Sequence, residues 1–392
     1  VPSMTDVAIA STGLTNRQAG EDIAAQILDQ LHGAAPDAVI VFASPDNEYD
    51  ALLGALADRC GTSALIGCSS AGEFTNQASG TGRTSAIALR APDMRFSASL
   101  ARGLSNGRDG AAQQLVSGFA GLESSEFRYR TAIILVDALA GLAENLLDEL
   151  TLATGGMYQF VGGGAGDDGR FTKTHVFFGR EACTDAAVAL EILSNKPFGI
   201  GARHGWAPCG DPLRVTASQE SCVVSLNISP AVEAFEEHAA ATHQRFDRED
   251  PLPFFLHNVM GVDTGDGHKL RVPLGIAADG GIVCAAEVPT GATAHIMSTG
   301  KSAAAEAAAS ATRDAIRQVE SEGHTPRAAL FFDCVATRLR LGEDFGHELE
   351  AVAKELGAAP FAGFNSYGQI VRAHGQFSGF HNCTAVVCVI PD

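Results

Sequence analysis

No stretch of about 18 uninterrupted apolar residues occurs in the 392-residue chain, which excludes a membrane-spanning helix of ordinary length. The opening "VPSMTDVAIAST" lacks a charged segment followed by a long apolar core, so no secretory signal is expected. Basic side chains are scarce, 27 against 46 acidic ones, for a net charge of −19. Such a surface repels phosphate backbones and anionic lipid, which argues against nucleic acid and membrane as partners. The nine cysteines are odd in number and include no C-x-x-C pair. They fit buried or reactive thiols in a reducing cytoplasm better than a disulfide framework, and covalently attached haem is excluded.

What is present reads as an ordinary globular chain, 46% hydrophobic and 19% charged, long enough for about two domains. One pattern is written three times. "DAVIVFAS" (37–44), the helix-patterned "YDALLGALADRCG" and "ALIGCSSAGEF" (64–74) form the first copy. "RTAIILVDA" (130–138), "ENLLDELTLATGG" and "YQFVGGGAGDD" form the second. "RAALFFDCV" (327–335), "FGHELEAVAKELG" and "PFAGFNSYGQI" form the third. Aligning them stacks Gly67, Gly162 and Gly363, then Glu73, Asp168 and Gln369, and also Ala43, Asp137 and Asp333. Strand–helix–strand order predicts an α/β fold of repeated units, forming mixed β-sheets flanked by helices. Between the second and third copies lie hairpin-like strands and the Ala-rich helix "KSAAAEAAASATRDAIRQVESEG". We place a module boundary near 200, giving modules 1–199 and 200–392.

Most chemical motifs fail on spacing. A nucleophile elbow needs Gly-x-Ser-x-Gly, and Ser69 has Gly67 before it but Ala71 after it. "STGKS" (298–302) has His295 where a phosphate-binding loop needs glycine. "GGGAGDDG" (162–169) has Asp167 at the last glycine position of a dinucleotide fingerprint. "DTGDGH" (263–268) lacks the further ligands of a calcium loop and reads as a polar turn. His238 and His243, five apart on a helix, point to different faces.

The strings "IGCSSAGEF", "GGGAGDDGRF", "HGWAPCGDPLRVT", "FFDCVATRLRLGEDF", "FAGFNSYGQI" and "FHNCTAVV" together resemble the two modules of FIST-domain proteins, in the expected order. Thr337 departs from the pattern, which often has arginine there; Arg338 follows it. The resemblance implies a bacterial sensory protein that binds a small molecule. Its NosP group implies more: haem b, a response to nitric oxide, and regulation of a partner histidine kinase or cyclic-di-GMP enzyme. The glycine-led turns then become a pocket floor at strand ends. Its expected lining is Cys68, Ser69, Ser70 and Gly72 from the first turn, Gly163 from the second, and Asn365, Ser366 and Tyr367 from the third, with Asp333, Cys334 and Arg338 before it. Haem would need an axial ligand and an apolar slot. His204, beside the sole tryptophan Trp206 and near Gly201 and Gly205, and His381 are the candidate ligands; Phe364, Tyr367, Phe377 and Phe380 are the candidate walls. Two alternatives stay open: a thiol-dependent enzyme using Cys68 or Cys334, and a sensor of another small molecule such as an amino acid. A homo-oligomer is compatible with either.

Overall fold

The apolar runs before each glycine-led turn form parallel strand pairs in the computed structural model, which describes residues 4–375 and 378–392. The first unit runs β1 (Asp6–Thr12), α1 (Asn16–Gln30), β2 (Ala38–Ala43), α2 (Tyr49–Cys60), β3 (Ala64–Ser69), the hairpin β4 (Glu73–Thr75) and β5 (Ser79–Gly80), and β6 (Thr84–Arg90). The second repeats this order: β7 (Arg95–Arg102), α3 (Arg108–Val116), β8 (Tyr129–Val136), α4 (Ala143–Ala153), β9 (Gln159–Gly164), the hairpin β10 (Val176–Phe178) and β11 (Glu181–Cys183), and β12 (Ala186–Ser194).

The third unit opens with β13 (Gly199–Arg203) and is then interrupted. The insert comprises β14 (Trp206–Pro208), β15 (Leu213–Gln219), β16 (Cys222–Leu226), β17 (Ser229–Pro230), α5 (Ala231–Ala241), α6 (Leu252–Phe255), β18 (Val259–Asp263), β19 (His268–Arg271), β20 (Pro273–Ile276), β21 (Ile282–Cys284) and β22 (Thr293–Thr299). The unit resumes with α7 (Ala303–Glu320), β23 (Pro326–Cys334), α8 (Val335–Leu341), α9 (Gly346–Leu356), β24 (Phe361–Ser366), the hairpin β25 (Gln369–Arg372) and β26 (Gly379–His381), and β27 (Ala385–Pro391).

Each unit builds a six-stranded mixed sheet, but the last two strands of each sheet come from another unit. Hairpin β10–β11 extends the first sheet beside β3, β25–β26 extends the second beside β9, and β4–β5 extends the third beside β24. This cyclic exchange locks the three units into a ring. The aligned glycines hold matching places in it. Gly67 pairs with Val41 and Phe177, Gly162 with Ile134 and Ile370, and Gly363 with Phe331 and Phe74. A Cβ at these glycines would lie 2.0, 1.9 and 1.9 Å from the carbonyl oxygens of Val41, Ile134 and Phe331. Only a missing side chain permits that approach.

Two of the aligned columns need correction. Val176, not Asp168, holds the register position of Glu73 and Gln369, because the second unit has a longer loop before its hairpin. Val136, not Asp137, matches Ala43 and Asp333, since it pairs with Gly164 as they pair with Ser69 and Asn365.

All three sheets turn one face to a shared core, where Ile40 and Phe42 meet Leu135 and Val161 of the second unit and Phe332 and Phe364 of the third. Phe42 stacks on Phe364 at 4.5 Å between centroids. Each such side chain removed from water contributes roughly 2–3 kcal/mol. Helices cover the outer faces: α1 and α2 on the first sheet, α3 and α4 on the second, α7 and α9 on the third. The insert has its own core around Phe235 and Phe255. It is tied to the ring by Arg271, which donates to the Phe380 carbonyl at 2.9 Å and lies 3.4 Å from the Glu144 carboxylate.

Candidate functional site

The turns after β3, β9 and β24 meet at one end of the ring and bond to one another. Ala71 N–H donates to the Asn365 carbonyl at 2.9 Å, and Asn365 N–H to Gly72 at 2.8 Å. Tyr367 N–H donates to Gly164 at 3.0 Å, Gly164 N–H to Gly368 at 2.8 Å, and Gly166 N–H to Ser69 at 2.9 Å. The polar side chains expected to line a pocket are consumed here. Ser69 Oγ accepts from His175 N–H at 2.9 Å, and the Ser70 hydroxyl donates to the Glu73 carboxylate. Ser366 Oγ donates to the Asp333 carbonyl and accepts from Gln369, both at 2.9 Å, while Asn365 Nδ2 donates to the Asp333 carboxylate at 3.3 Å.

The pocket floor is therefore a sealed junction. Ser69, Ser70, Asp333, Asn365 and Ser366 are at most 1% exposed, and Cys68 is packed in the shared apolar core. Gly72 and Gly163 leave room for neighbours, Arg338 and Asn365 at the first and Ser366 and the Gly368 carbonyl at the second. Arg338 donates to the Ala71 carbonyl and joins the first unit to the third. Neighbours satisfy Ser69, Ser70, Asn365 and Ser366 as well as a ligand would, and leave Asp333 Oδ1 without a partner among the described residues.

An open cleft lies beside this junction, between the ring and the insert. It holds about 590 Å³ of free space, part of it open to solvent. Its walls come from three distant stretches: Ala138, Leu139 and Phe171 of the second unit; Cys334, Val335, Ala336, Leu339, Tyr367 and Asn382 of the third; and Leu252, Leu256, Val272, Leu274 and Ala285 of the insert. Of the expected lining, Cys334 and Tyr367 are on this wall. Phe171 stacks on Tyr367 at 4.4 Å. Asp167 fixes that pair: it accepts the Tyr367 hydroxyl and the backbone N–H groups of Phe171, Thr172 and Lys173 at 2.7–2.9 Å. Burial would raise the Asp167 carboxyl, but these donors hold it below its usual range.

The cleft continues past Ala138, Leu139, Leu274 and Ala285 into a polar annex with Arg108, Glu220, Glu287 and Phe380. Arg108 donates to the Ala140 and Gly141 carbonyls at 2.6 Å. Its buried Nε and Glu287 Oε1 have no hydrogen-bond partner among the described residues.

Cys334 ends β23, with its thiol beside that of Cys383 in the cluster joining ring and insert. The hydrogen bond from Cys383 outweighs burial and draws the Cys334 thiol down to about 6. Cys383 moves well above its usual value in consequence, and burial pushes Cys68 well up too.

A histidine-ligated haem does not fit this arrangement, because neither His204 nor His381 is on the apolar cleft's wall. His204 Nε2 lies 3.0 Å from the His268 carbonyl, and its Nδ1 accepts from Trp206 N–H at 3.2 Å. It borders a narrow void of about 230 Å³ with Arg340 and Glu348. Gly201 and Gly205 admit helix α7 rather than a flat ligand: a Cβ there would lie 1.9 and 2.5 Å from the carbonyl oxygens of Ala311 and Ala303. His381 is 1% exposed within β26. Of the expected slot, Phe364 is in the ring core, Phe380 borders the annex, and Phe377 lies outside the described residues.

Sequence reasoning missed every other cleft residue, among them Leu139, Phe171 and Leu339 of the ring and the insert's Leu252, Leu256 and Leu274. A run of leucines in a chain of this composition signals core. The one local sign was Asp167, whose place in "GGGAGDDGRF" breaks a nucleotide motif and serves to orient Phe171.

Comparison with known proteins gives two matches to family profiles, the FIST N domain over residues 37–228 and the FIST C domain over residues 231–372. No curated protein matches the sequence. Among solved structures, a cyanuric acid hydrolase from A. caulinodans is 7% identical, with 99% of each chain covered at a TM-score of 0.33. T. maritima PurL complexed with ATP is 12% identical, covering 99% of this chain and 71% of that one at a TM-score of 0.23. Likenesses this slight bear on neither fold nor chemistry.

Proposed function

The chain belongs to the FIST family of small-ligand sensory domains, and on that premise we propose that its ligand occupies the cleft between ring and insert. The carrying observation is the distribution of exposed apolar side chains. Leu139, Phe171 and Leu339 are 42%, 39% and 47% exposed, and all three line this one cleft. Exposed apolar groups gathered around a concavity mark a binding surface rather than incidental exposure. A ligand that fits has an apolar body for the leucine-lined part and a polar end for Arg108 and Glu287. Because the walls come from separate parts of the chain, occupancy pulls the insert and the ring together, a change that an output partner can read.

The test is titration with the apolar dye 1-anilinonaphthalene-8-sulfonate. The native chain should show one saturable site, weakened more than about tenfold in Ala336→Trp, which fills the cleft. Equal binding by a folded Ala336→Trp variant overturns the assignment.

The finer reading, haem b with nitric-oxide response and control of a histidine kinase or cyclic-di-GMP enzyme, rests on the family resemblance. In this reading haem shares the same cleft. Cys334 and Tyr367 are the side chains on its wall of a type that holds haem iron; bound haem would supply the site for nitric oxide. The expected result with added haem b is a Soret band lost in Ala336→Trp and kept in His204→Ala and His381→Ala. Loss in either histidine variant alone removes the cleft from the haem reading.

The low Cys334 pKa favours one further reading, thiol chemistry on a molecule in the same cleft.

A further inference from the structure

The insert carries a second feature, unrelated to the cleft's apolar lining. In β18 and β19, Asp263 and His268 are direct cross-strand partners across the hairpin 264–267. On the other side of β18, His295 of β22 pairs with Gly261. Gly261 is two residues before Asp263, so His295 and Asp263 sit diagonally on one sheet face. The result is that one ligand atom from each of Asp263, His268 and His295 lies within 4.8 Å of the others.

We propose that these three residues bind a divalent transition metal, with Zn²⁺ as its simplest representative. Two imidazoles and a carboxylate suit zinc, iron or nickel better than calcium or magnesium, which prefer oxygen-only cages. Three protein ligands leave further positions for water, and Asp263 at the exposed side gives a path for entry. The surroundings favour the same reading. The Gly265 N–H donates to Asp263 Oδ1 at 2.7 Å and orients the carboxylate, as outer partners do in metal sites. The His268 and His295 rings are edge to face at 5.1 Å, without a hydrogen bond to hold them together. His295 Nδ1 is buried and has no hydrogen-bond partner among the described residues. Sequence spacing concealed the site because His295 is on another strand, far from "DTGDGH".

The test uses the full chain, stripped with a chelator and titrated with Co²⁺ and then Zn²⁺. One equivalent of Co²⁺ should give visible ligand-field bands without a thiolate charge-transfer band, and Zn²⁺ should displace it. His268→Ala and His295→Ala should each weaken binding more than about tenfold. Asp263→Asn, at an exposed position, should weaken it as well. Absence of a stoichiometric site overturns the proposal. So does a thiolate band, or binding unchanged in the three variants.

Discussion

Glu348 and Asp333 show at the level of single residues how costly the ring's interior polarity is. Both are buried, and Glu348 Oε2 and Asp333 Oδ1 have no hydrogen-bond partner among the described residues. Burial raises both carboxyls, Glu348 to about 8 and Asp333 well above its ordinary value. A raised carboxyl means that the folded chain binds protons the unfolded chain has released. Stability from Glu348 is therefore full below about pH 4.5 and falls as pH rises toward 8. Glu348→Gln should flatten that fall and be more stable than the native chain by about 1–3 kcal/mol at pH 8. Chemical denaturation at pH 5 and pH 8 checks this; a variant less stable at both contradicts the burial argument.

Cys334 gives a sharper test at the same scale. Its thiol is lowered to about 6 by Cys383, whereas that of Cys68 is held up by burial. Iodoacetamide should label Cys334 before Cys68. The rate should rise through a midpoint near 6, and Cys383→Ala should move that midpoint toward the ordinary thiol value of about 8.5. Faster labelling of Cys68, or an unmoved midpoint, contradicts the assigned cause. Sequence pointed to both thiols and could not rank them, because nothing within a few residues of Cys334 marks Cys383 as its neighbour.

At the level of elements, the repeat was legible and its assembly was not. An apolar run, a helix and a glycine-led turn are local patterns, so Gly67, Gly162 and Gly363 aligned correctly. The exchange of hairpins is a property of strand pairing between units, which no local pattern encodes; the Asp168 column failed through the second unit's longer loop, and the Asp137 column by one residue along β8. The polar turns misled for a related reason. Ser70, Asn365 and Ser366 have the same chemistry whether they face a ligand or the protein, and here they donate to Glu73 and Asp333. The glycines separate in a predictable way. Gly363→Ala puts a Cβ 1.9 Å from the Phe331 carbonyl, so it should cost about 2–4 kcal/mol or prevent folding. Gly110→Ala, on α3 with nothing within 4 Å, should stabilise by about 0.5–1 kcal/mol. Melting temperatures of the two variants check the contrast; equal effects contradict the ring packing.

For the whole molecule, the arrangement is a three-unit ring with an inserted sheet closing over one end. Its charge of −19 favours a basic face on any output partner. Among the described residues no helix is long and apolar enough to cross a membrane. The cleft escaped sequence reading because its walls are assembled only when α6, β20 and the strand ends of the ring meet. Its occupancy is the central claim. The most direct measurement is amide hydrogen exchange of the full chain, with and without saturating haem b or the anilinonaphthalene dye. The account predicts slowed exchange at 138–141, 171–173, 252–256 and 335–339, with no change at 69–73, where the turns are already bonded together. Protection confined to 69–73 and 365–369, or to the segment around His204, would contradict it.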